Sequence, residues 1–528
     1  MRFFVVLLLG VALLTPGCIK VGPDFSTPQA SVSDQWVEAG NEAIRSEPEQ
    51  HAEWWKTFND PVLNQLVETA YEQNLSLQIA GLRVLEARAE LGYVTGHLFP
   101  QVQQGRGDIA SVGASKNEAN SLGVDPSWKT GGVGFDTAWE MDFWGKFRRG
   151  VESADASLIA SISDYDDVLV ALTAEVARVY TLIRTYEERI LIAEQNIKLQ
   201  QRSLEITEAR FEAGLVTELD TQQAKALLNG TKSLVPSFRM RLRQAQNALG
   251  ILLGTPPGDL PQILNASGSI PAAPAEIAVG IPAELLRRRP DIRRAEMQAA
   301  AQSALIGVAR ADLFPHFSLV GSIGLRSSNN APTRAGGVGG SSFGDLFDSD
   351  SFEYFVGPSF RWDILNYGRI KNEIRVQDAR FQQLQVNYQE TVLRATKEVE
   401  DGMVGFLRGQ EEAGFLSQSV NAYKRSIDLA QTQYHEGLVD YILVIDNQRS
   451  LTAEQDKLIA TQGEVALSLI AMYKALGGGW QIRSGQGVVS EEMQKEMSER
   501  TDWGDLLKLE EQRPQKTDED SDWRWPDW

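Results

Sequence analysis

An internal repeat constrains the fold of this chain more than any other feature of the sequence. Comparison of the sequence with itself at an offset of 223 residues brings matching groups into register, without a gap, over more than a hundred residues. The matches pair Trp139 with Trp362, Trp144-Gly145-Lys146 with Tyr367-Gly368-Arg369, Asp155-Ala156 with Asp378-Ala379, Glu175-Val176 with Glu398-Val399, Gly214-Leu215-Val216 with Gly437-Leu438-Val439, and Leu253-Gly254 with Leu476-Gly477. A series of this length in one register indicates a tandem duplication.

Each copy predicts the same order of elements: a helix, two strands, a very long helix and a returning helix. The first helix, at about 60–98 and again at about 284–313, is expected to end at Phe-Pro, because proline biases the preceding residue away from helical geometry. Gly214 and Gly437 supply the positive-φ position that ends the long helices. Pro236 should interrupt and kink the first returning helix.

The long helices carry a strict seven-residue repeat of apolar residues. In the first copy it runs through Ile162, Leu169, Val176, Ile183, Ile190, Ile197, Leu204 and Phe211, and in the second through Val392, Val399, Phe406, Val420, Ile427 and Tyr434. Such a repeat specifies coiled-coil packing. A helix from Lys146 to Phe211 would be about 100 Å long at about 1.5 Å per residue. The sequence therefore predicts a rod that reaches away from a membrane.

The strand segments alternate between apolar residues on one face and small or charged residues on the other. The apolar positions are Val133, Phe135, Trp139, Met141 and Phe143, then Phe317, Leu319, Ile323 and Leu325, then Tyr354, Val356, Phe360, Trp362 and Ile364. The segment after Gln101 shows the pattern weakly. A water-soluble sandwich has similar alternation, but the long helices favour a membrane barrel with a wet lumen.

Four strands per chain are too few to close a barrel, since about eight are needed before an interior exists. Beyond Leu14 the sequence has no apolar stretch long enough for a membrane-spanning helix, so a crossing would require a closed barrel. Three chains that pool their strands would give twelve strands and an open lumen. The glycine-rich stretch 336–344 lacks the Gly-Lys-Ser/Thr ending of a phosphate loop and is predicted to be a surface loop.

The first residues predict export and lipid attachment. Arg2 and the apolar run from Phe3 to Leu14 are typical of a signal peptide, and Cys18, the only cysteine in the chain, closes it. This arrangement resembles a bacterial lipobox, although Thr15 stands where such boxes usually carry leucine. The net charge of −20 argues against nucleic acid as a partner.

These boundaries divide the chain into six predicted segments. They are a signal peptide (1–17), a lipid-anchored N-terminal segment with an equatorial part (18–59), the first repeat (60–254), a linker with an equatorial part (255–283), the second repeat (284–479) and an acidic tail (480–528). The tail leaves two readings open. Its acidic composition favours disorder, whereas its tryptophans favour a conditional contact.

The chain resembles the TolC-like outer-membrane efflux proteins, specifically the NodT-type lipoprotein branch that serves resistance-nodulation-division pumps. The resemblance extends over nearly the whole chain to Trp480. It rests on Val21-Gly22-Pro23-Asp24-Phe25, Arg289-Pro290-Asp291-Ile292, Leu313-Phe314-Pro315, Tyr367-Gly368-Arg369, the paired Gly-Leu turns, Asp446-Asn447-Gln448-Arg449 and Leu476-Gly477-Gly478-Gly479-Trp480.

The resemblance implies an α+β membrane protein that acts without cofactor or covalent chemistry. It implies a homotrimer in which a twelve-stranded barrel in outer-membrane lipid continues into an α-helical tunnel across the periplasm. It also implies a closed periplasmic end, which opens when a periplasmic adaptor protein and an inner-membrane resistance-nodulation-division pump dock. The exported compound cannot be read from the duct, because the pump selects it.

The resemblance assigns a docking patch to the two turns at the helix tips, which meet the adaptor in the family. These turns comprise Gly214, Leu215, Val216 and Thr217 in the first copy, and Gly437, Leu438, Val439 and Asp440 in the second. Exposed leucine and valine at the end of a rod suit an apolar docking point. The alternative is that these residues only cap the hairpins.

The resemblance also assigns a gate near the tips. Aligned on the two glycines, Asp446 falls on an acidic-ring aspartate, while Asp220 and Tyr434 fall on a pair that holds the gate. Some family members carry a gate arginine where this chain has Val439, so that latch is expected to be absent or replaced. Like charges on a trimer axis repel, so the ring should loosen on ionisation and tighten with cations or acid. The alternative for Asp446 is a solvated coiled-coil residue.

Other classes of function have less support. The four histidines form no recognisable metal cluster, and neither a nucleophile elbow nor a phosphate loop is present, which disfavours an envelope enzyme. A lipoprotein spacer without transport would have no use for strands with an apolar outer face. A type I protein-secretion duct remains the alternative within the same class.

Overall fold

The computed structural model describes residues 20–45, 52–113, 115, 117, 127–256, 264, 268–274, 276–284, 288–329, 331–332, 338–339 and 342–507. The expected signal peptide, Cys18 and the last part of the tail lie outside these residues. The helices are α1 (Pro61–Gln73), α2 (Leu75–Gly96), α3 (Lys146–Glu212), α4 (Glu218–Leu252), α5 (Pro290–Ala311), α6 (Arg369–His435), α7 (Tyr441–Ala475) and α8 (Glu491–Arg500). The main strands are β1 (Val102–Gly113), β2 (Ser127–Met141), β3 (His316–Ser328) and β4 (Phe352–Arg361).

Shorter elements complete the described part of the chain. Two-residue strands pair Ile44–Arg45 with Ile277–Ala278 and Ala331–Pro332 with Val338–Gly339. Single 3₁₀ turns cover Trp54–Phe58, Pro282–Glu284, Phe343–Phe347, Ser349–Ser351, Trp480–Arg483 and Gly504–Leu507.

The long helices reproduce the sequence repeat element by element. Helices α3 and α6 have 67 residues each, and α4 and α7 have 35 each. The starts and ends of both pairs differ by the same 223 positions found in the sequence. Gly145 and Gly368 precede α3 and α6 with φ of 76° and 82°, a backbone conformation that glycine adopts at no steric cost.

Each of the two predicted first helices has a break that the sequence analysis did not indicate. The first helix is split at Asn74, because the side-chain oxygen of Asn74 accepts the Leu77 backbone N–H at 2.9 Å and caps α2. Its amide nitrogen also donates to the Leu252 carbonyl oxygen at 2.9 Å, which ties the break to the end of α4. In the second copy Arg288 is helical, Arg289 is extended with ψ of 122°, and α5 begins at Pro290, with proline in the first turn, where its missing N–H costs nothing.

Pro236 does not interrupt the returning helix as expected, since α4 is continuous from Glu218 to Leu252. The reason lies in the packing on either side of the proline. Val235 and Phe238 are both buried in one cluster with Ala193 of α3. Burial of apolar side chains before and after the proline holds the helix in place against the loss of one backbone hydrogen bond.

The four main strands form one antiparallel sheet in the order β1-β2-β3-β4. Its register places Phe135 opposite Ile323, and Ile323 opposite Tyr354, so the predicted apolar positions share one face. Large apolar side chains on that face are exposed: Val133, Phe135, Leu319, Ile323, Phe352, Tyr354, Val356 and Phe360. On β1 the same face carries mostly Gln, Gly and Ser, which explains why the pattern there was weak.

Tryptophans join the sheet to the helices at the same place in both copies. The indole N–H of Trp139 donates to the Leu98 carbonyl oxygen at 3.1 Å, and that of Trp362 donates to the Leu313 carbonyl oxygen at 3.0 Å. These carbonyls belong to the Leu-Phe-Pro motifs that end α2 and α5, and helix ends leave carbonyl oxygens without helical partners. In each copy, the Trp and Leu-Phe-Pro motifs therefore connect the sheet to the end of a helix.

The main apolar core lies where the helices nearest the sheet pack together. Its aromatic members include Trp54, Trp55, Tyr180, Phe406 and Tyr473, which come from the N-terminal segment, α3, α6 and α7. Towards the tips, the pairs α3–α4 and α6–α7 continue as two-helix rods with smaller clusters of their own. Within the described residues, no helix is both long and apolar enough to cross a bilayer.

The tail is ordered in its first part. Helix α8 and the residues after it pack on α2, where Leu85 and Met497 are buried beside Trp503. This contact supports the second of the two readings of the tail as far as residue 507. The later tryptophans lie outside the described residues.

A buried arginine holds the start of the described chain at the sheet–helix joint. Arg149 of α3 is 1% exposed and contacts Asp24 at 2.9 Å. It also donates to the carbonyl oxygens of Val21 and Gly22 at 3.1 and 3.2 Å. Gly22 has φ of 100°, and a Cβ placed on it would lie 2.5 Å from the Gly307 Cα. Residues 21–24 therefore pack closely against α3 and α5.

We expect Arg149→Met to release this segment and to lower the free energy of unfolding by about 3 kcal/mol, because the carbonyls and carboxylate lose a buried cationic donor. Limited proteolysis of the purified protein should then cut near residues 21–25. The control is Lys20→Met, which removes only a half-exposed ion pair with Glu152 and should cost under about 1 kcal/mol. Equal protease resistance of the wild type and Arg149→Met would contradict the role of Arg149.

Candidate functional site

The two tips are built alike, from a Schellman turn at each glycine. In the first, the Leu215 N–H donates to the Arg210 carbonyl oxygen and the Gly214 N–H to that of Phe211, both at 2.9 Å. In the second, the Leu438 N–H donates to the Gln433 carbonyl oxygen at 2.8 Å. Gly214 and Gly437 have φ of 71° and 75°. This is the geometry in which glycine ends a helix and satisfies its last carbonyl groups.

The turns leave apolar side chains in solvent at the end of each hairpin. Leu215 is 72% exposed and Leu438 is 69% exposed, and Leu219, in the first turn of α4, is 64% exposed. A Cβ placed on Gly214 or Gly437 would meet no atom within 4 Å. Since neither leucine contributes to a described apolar cluster, burial within this chain does not explain them.

Of the expected gate residues, Asp220 caps a helix. Its carboxylate accepts the Thr217 backbone N–H at 2.9 Å and the Thr217 hydroxyl at 2.8 Å. This arrangement is half of a capping box at the start of α4. The second copy has no equivalent bond, since Leu443 stands at the position that corresponds to Asp220.

Tyr434 lies in the small core that joins the two hairpins near their tips. It is buried with Ala224, Tyr441 and Ile445, and its ring centroid is 5.1 Å from that of Tyr441. Within the described part of the chain, its hydroxyl has no hydrogen-bond partner. The structure therefore does not join Tyr434 to Asp220 by a hydrogen bond inside one chain.

Sequence reasoning missed Arg210 beside this core. Its guanidinium carbon lies 4.3 Å from the centroid of the Tyr434 ring, in cation–π geometry. Val439, at the position where some family members carry a gate arginine, packs against the cluster around Tyr434. Burial also raises the pKa of the Tyr441 phenol, which keeps that hydroxyl neutral. The only sequence signal for Arg210 was its position one turn before Gly214.

Asp446 projects from α7 away from the apolar core. Its side chain is 54% exposed, and its nearest charged neighbour is Arg449 on the same helix, at 3.1 Å. Val444, Ile445 and Gln448 face the core on the other side of α7. The carboxylate is thus free to face another copy of the chain.

Polar contacts, rather than apolar ones, join the two hairpins between the main core and the tips. Arg189 of α3 binds Asp456 of α7 through two nitrogens at 2.8 Å. Further towards the tips, amide and hydroxyl groups of the two helices bond at 2.8 to 3.2 Å, in the pairs Asn196–Gln455, Gln200–Thr452 and Ser203–Gln448. Such bonds exchange with water at low net cost, so this seam can open more easily than the core.

The sheet carries a second set of residues that sequence reasoning did not single out. On the face opposite the apolar one lie Arg106, Asp108, Asp136, Arg326 and Glu353, from all four strands. Arg106 approaches Asp136 and Glu353 at 3.4 Å each, and Arg326 approaches Glu353 at 3.3 Å. The weak pattern of β1 concealed two of these five residues.

Together these features define a class of protein. A sheet with one exposed apolar face and one charged face suits a wall between lipid and water. Two rods of 67-residue helices continue that wall well beyond the thickness of a membrane. The chain is therefore built as a segment of the wall of a membrane channel.

The chain belongs to the outer membrane efflux protein family, whose model matches residues 66–255 and 281–478. It is 31% identical over 481 residues to the solvent efflux pump outer membrane protein SrpC of Pseudomonas putida, covering 89% of this chain and 97% of SrpC. It is 28% identical over 469 residues to nodulation protein T of Rhizobium leguminosarum bv. trifolii, covering 89% of this chain and 96% of that protein.

Solved channels have the same fold. The outer-membrane channel OprN superimposes with a TM-score of 0.79 at 31% identity, covering 88% of this chain and 100% of OprN. The channel CusC superimposes with a TM-score of 0.74 at 27% identity, covering 87% and 100%. The predicted NodT-type efflux channel, with strands for a barrel and helices for a tunnel, is confirmed. The chain is the outer-membrane channel component of a tripartite efflux system.

Proposed function

We propose that three copies of this chain close one barrel and one tunnel, anchored in the outer membrane through a lipidated Cys18. The observation that supports this proposal is that one chain combines a sheet that has an exposed apolar face with two long helical rods. Among the strands that the structure describes, β1 and β4 each have a neighbour on one side only. Edge strands cannot remain open in lipid, so β4 of one chain pairs with β1 of the next.

The helix tips are the docking surface for a periplasmic adaptor, which couples the channel to an inner-membrane resistance-nodulation-division pump. Leu215 and Leu438 support this role, because two exposed leucines at the ends of adjacent hairpins form an apolar end to the rod. Val216, Thr217, Val439 and Asp440 complete the two turns. The channel itself carries out no covalent chemistry and requires no cofactor; the pump supplies the energy and selects the compound.

Asp446 of the three chains forms the gate of the closed tunnel. Its exposure on α7 and the polar seam between α3 and α7 support this role, because the seam allows one hairpin to move against the other. Asp220 and Tyr434 hold the tips on either side of the gate, and Arg210 takes the place of an arginine at Val439. The acidic ring is weakened by its own repulsion and strengthened by bound cations.

We expect Asp446→Ala to raise single-channel conductance in planar bilayers several-fold and to abolish block by divalent cations added on the tip side. Both effects follow from removing three carboxylates that would bind the blocking ion. Asp428→Ala is the matched control, since Asp428 is an exposed carboxylate on α6, as far before Gly437 as Asp446 is after it. Unchanged conductance and unchanged cation block in Asp446→Ala would remove Asp446 from the gate.

A type I protein-secretion duct is the second candidate within this class. It would need a tunnel that admits an unfolded polypeptide. The expected lipid attachment at Cys18, the Val21-Gly22-Pro23-Asp24-Phe25 motif and the similarity to solvent-pump and nodulation proteins favour small-molecule efflux instead.

A further inference from the structure

On the charged face of the sheet, five charged side chains lie at about the same level along the strands. We call them the charged girdle (Arg106, Asp108, Asp136, Arg326 and Glu353). Its central row runs across all four strands as Arg106, Gly134, Gly324 and Glu353, each directly opposite the next. The two inner strands contribute only glycine to this row. The side chains of the two outer strands can therefore meet over the middle of the sheet, where Arg106 lies 3.4 Å from Glu353.

The glycines are required for this geometry. A Cβ placed on Gly134 would lie 3.5 Å from Arg106 Nε and 2.8 Å from the Ile323 carbonyl oxygen, and one on Gly132 would lie 3.1 Å from Asp108 Oδ1. A Cβ at Gly134 would therefore clash with the backbone of β3 and touch the Arg106 side chain, and one at Gly132 would crowd the Asp108 carboxylate. Arg106 instead reaches over the inner strands, where it also donates to the Ser322 hydroxyl at 3.3 Å. The face thus carries fixed charge without long side chains that project across the lumen.

The girdle has more carboxylates than guanidinium groups. Among the described residues of each chain, two arginines face three acids, so these residues give a trimer an excess of three negative charges at this level. All five side chains are between about a quarter and a half exposed, so their charges act on the water beside them. A lumen lined with fixed charge and bounded by low-dielectric walls concentrates ions of opposite sign.

We propose that the charged girdle is a charge-selective element of the exit pathway, which favours cationic and zwitterionic compounds over anionic ones as they leave the barrel. This inference rests on the proposed barrel, in which the charged face lines the lumen. Rings of charged side chains set selectivity in pores by the same physics. Arg106 and Arg326 moderate the selectivity, and the three acids create it.

Thiol labelling from outside the cell tests the girdle without requiring the distant gate to open. Ser318 lies on the same face, nearer the helices than every member of the girdle, and the chain has no cysteine besides Cys18. In Ser318→Cys, a cationic and an anionic methanethiosulfonate reagent must pass the girdle to react. The measured quantity is the rate of labelling by the cationic reagent divided by the rate of labelling by the anionic reagent. Labelling of the protein without the introduced cysteine is subtracted from both rates.

We expect Arg106→Gln with Arg326→Gln to raise this ratio about tenfold, and Asp136→Asn with Glu353→Gln to lower it by a similar factor. Arg106→Lys with Arg326→Lys keeps the charge and loses the planar geometry, so its ratio should stay within about twofold of the wild type. Trimers of each variant are first verified at the cell surface. Equal ratios in the two charge-altered variants would overturn the proposal.

A second control separates the girdle from the barrel on which it depends. Leu319 lies on the apolar face next to Ser318, so Leu319→Cys should react with neither reagent in intact cells. Reaction at Leu319→Cys with none at Ser318→Cys would overturn the orientation of the sheet, and with it both proposals. Reaction at Ser318→Cys with an unaltered ratio would overturn the girdle alone.

Discussion

Efflux is expected to fall to the level of a strain without the channel when Leu215 and Leu438 are both replaced by aspartate. The two leucines protrude at 72% and 69% exposure and belong to no apolar cluster of the described residues, so the change should not destabilise the protein. An adaptor that covers them would have to desolvate two carboxylates per chain, which costs several kcal/mol per unpaired charge. Three chains multiply that cost.

Susceptibility to an exported compound, measured with the pump and adaptor present, should rise at least about tenfold, while trimer content and thermal stability stay unchanged. The control is Leu215→Ile with Leu438→Ile, which keeps the apolar surface and should retain efflux. Normal efflux by the aspartate variant would mean that these leucines only cap the hairpins. The gate would then have to open through another surface.

Gly402 and Gly414 of α6 are expected to respond in opposite directions to the same substitution by alanine. A Cβ on Gly402 would lie 2.8 Å from the Met472 Cβ and 2.9 Å from its Cα, where the backbones of α6 and α7 are close together. A Cβ on Gly414 would meet no atom within 4 Å. Both residues lie within the same helix, so intrinsic helix propensity favours alanine equally at both.

We expect Gly402→Ala to destabilise the protein by about 1–3 kcal/mol, because two backbones must separate to admit one methyl group. Gly414→Ala should stabilise it by about 0.5–1 kcal/mol, since alanine loses less conformational freedom than glycine on folding. Thermal unfolding of detergent-solubilised trimers by circular dichroism measures both. A rise in melting temperature for Gly402→Ala would show that α6 and α7 are not in close contact there.

Much of the fold could be predicted from the sequence because the signals were periodic and repeated. The offset of 223 residues reappears in the boundaries of α3 and α6, and the glycine turns lie where the heptads end. Alternation gave β2, β3 and β4 with their apolar face. Strand β1 was indistinct, because glycine and glutamine replace apolar residues where its face meets Phe135 and its neighbours.

The candidate sites were less predictable, since they depend on contacts between distant elements. Asp220 and Tyr434 were expected as a pair, yet within one chain Asp220 bonds to Thr217 and Tyr434 lies under Arg210. The charged girdle was not anticipated at all. Arg106 and Glu353 are 247 positions apart in sequence, and only the strand register brings them together.

The sequence by itself determined the duplication, the lengths of the rods, the positions of their turns and the two-faced character of the strands. These properties depend on spacing along the chain, which local backbone geometry converts directly into helices and strands. Tertiary structure alone decided which polar groups meet. These are the polar seam between α3 and α7, the contacts of Arg149 with residues 21–24, and the charged girdle over Gly134 and Gly324. Which side chains pair across an interface depends on the register of the two elements and on how closely they approach. The spacing of apolar residues within one helix or strand determines neither.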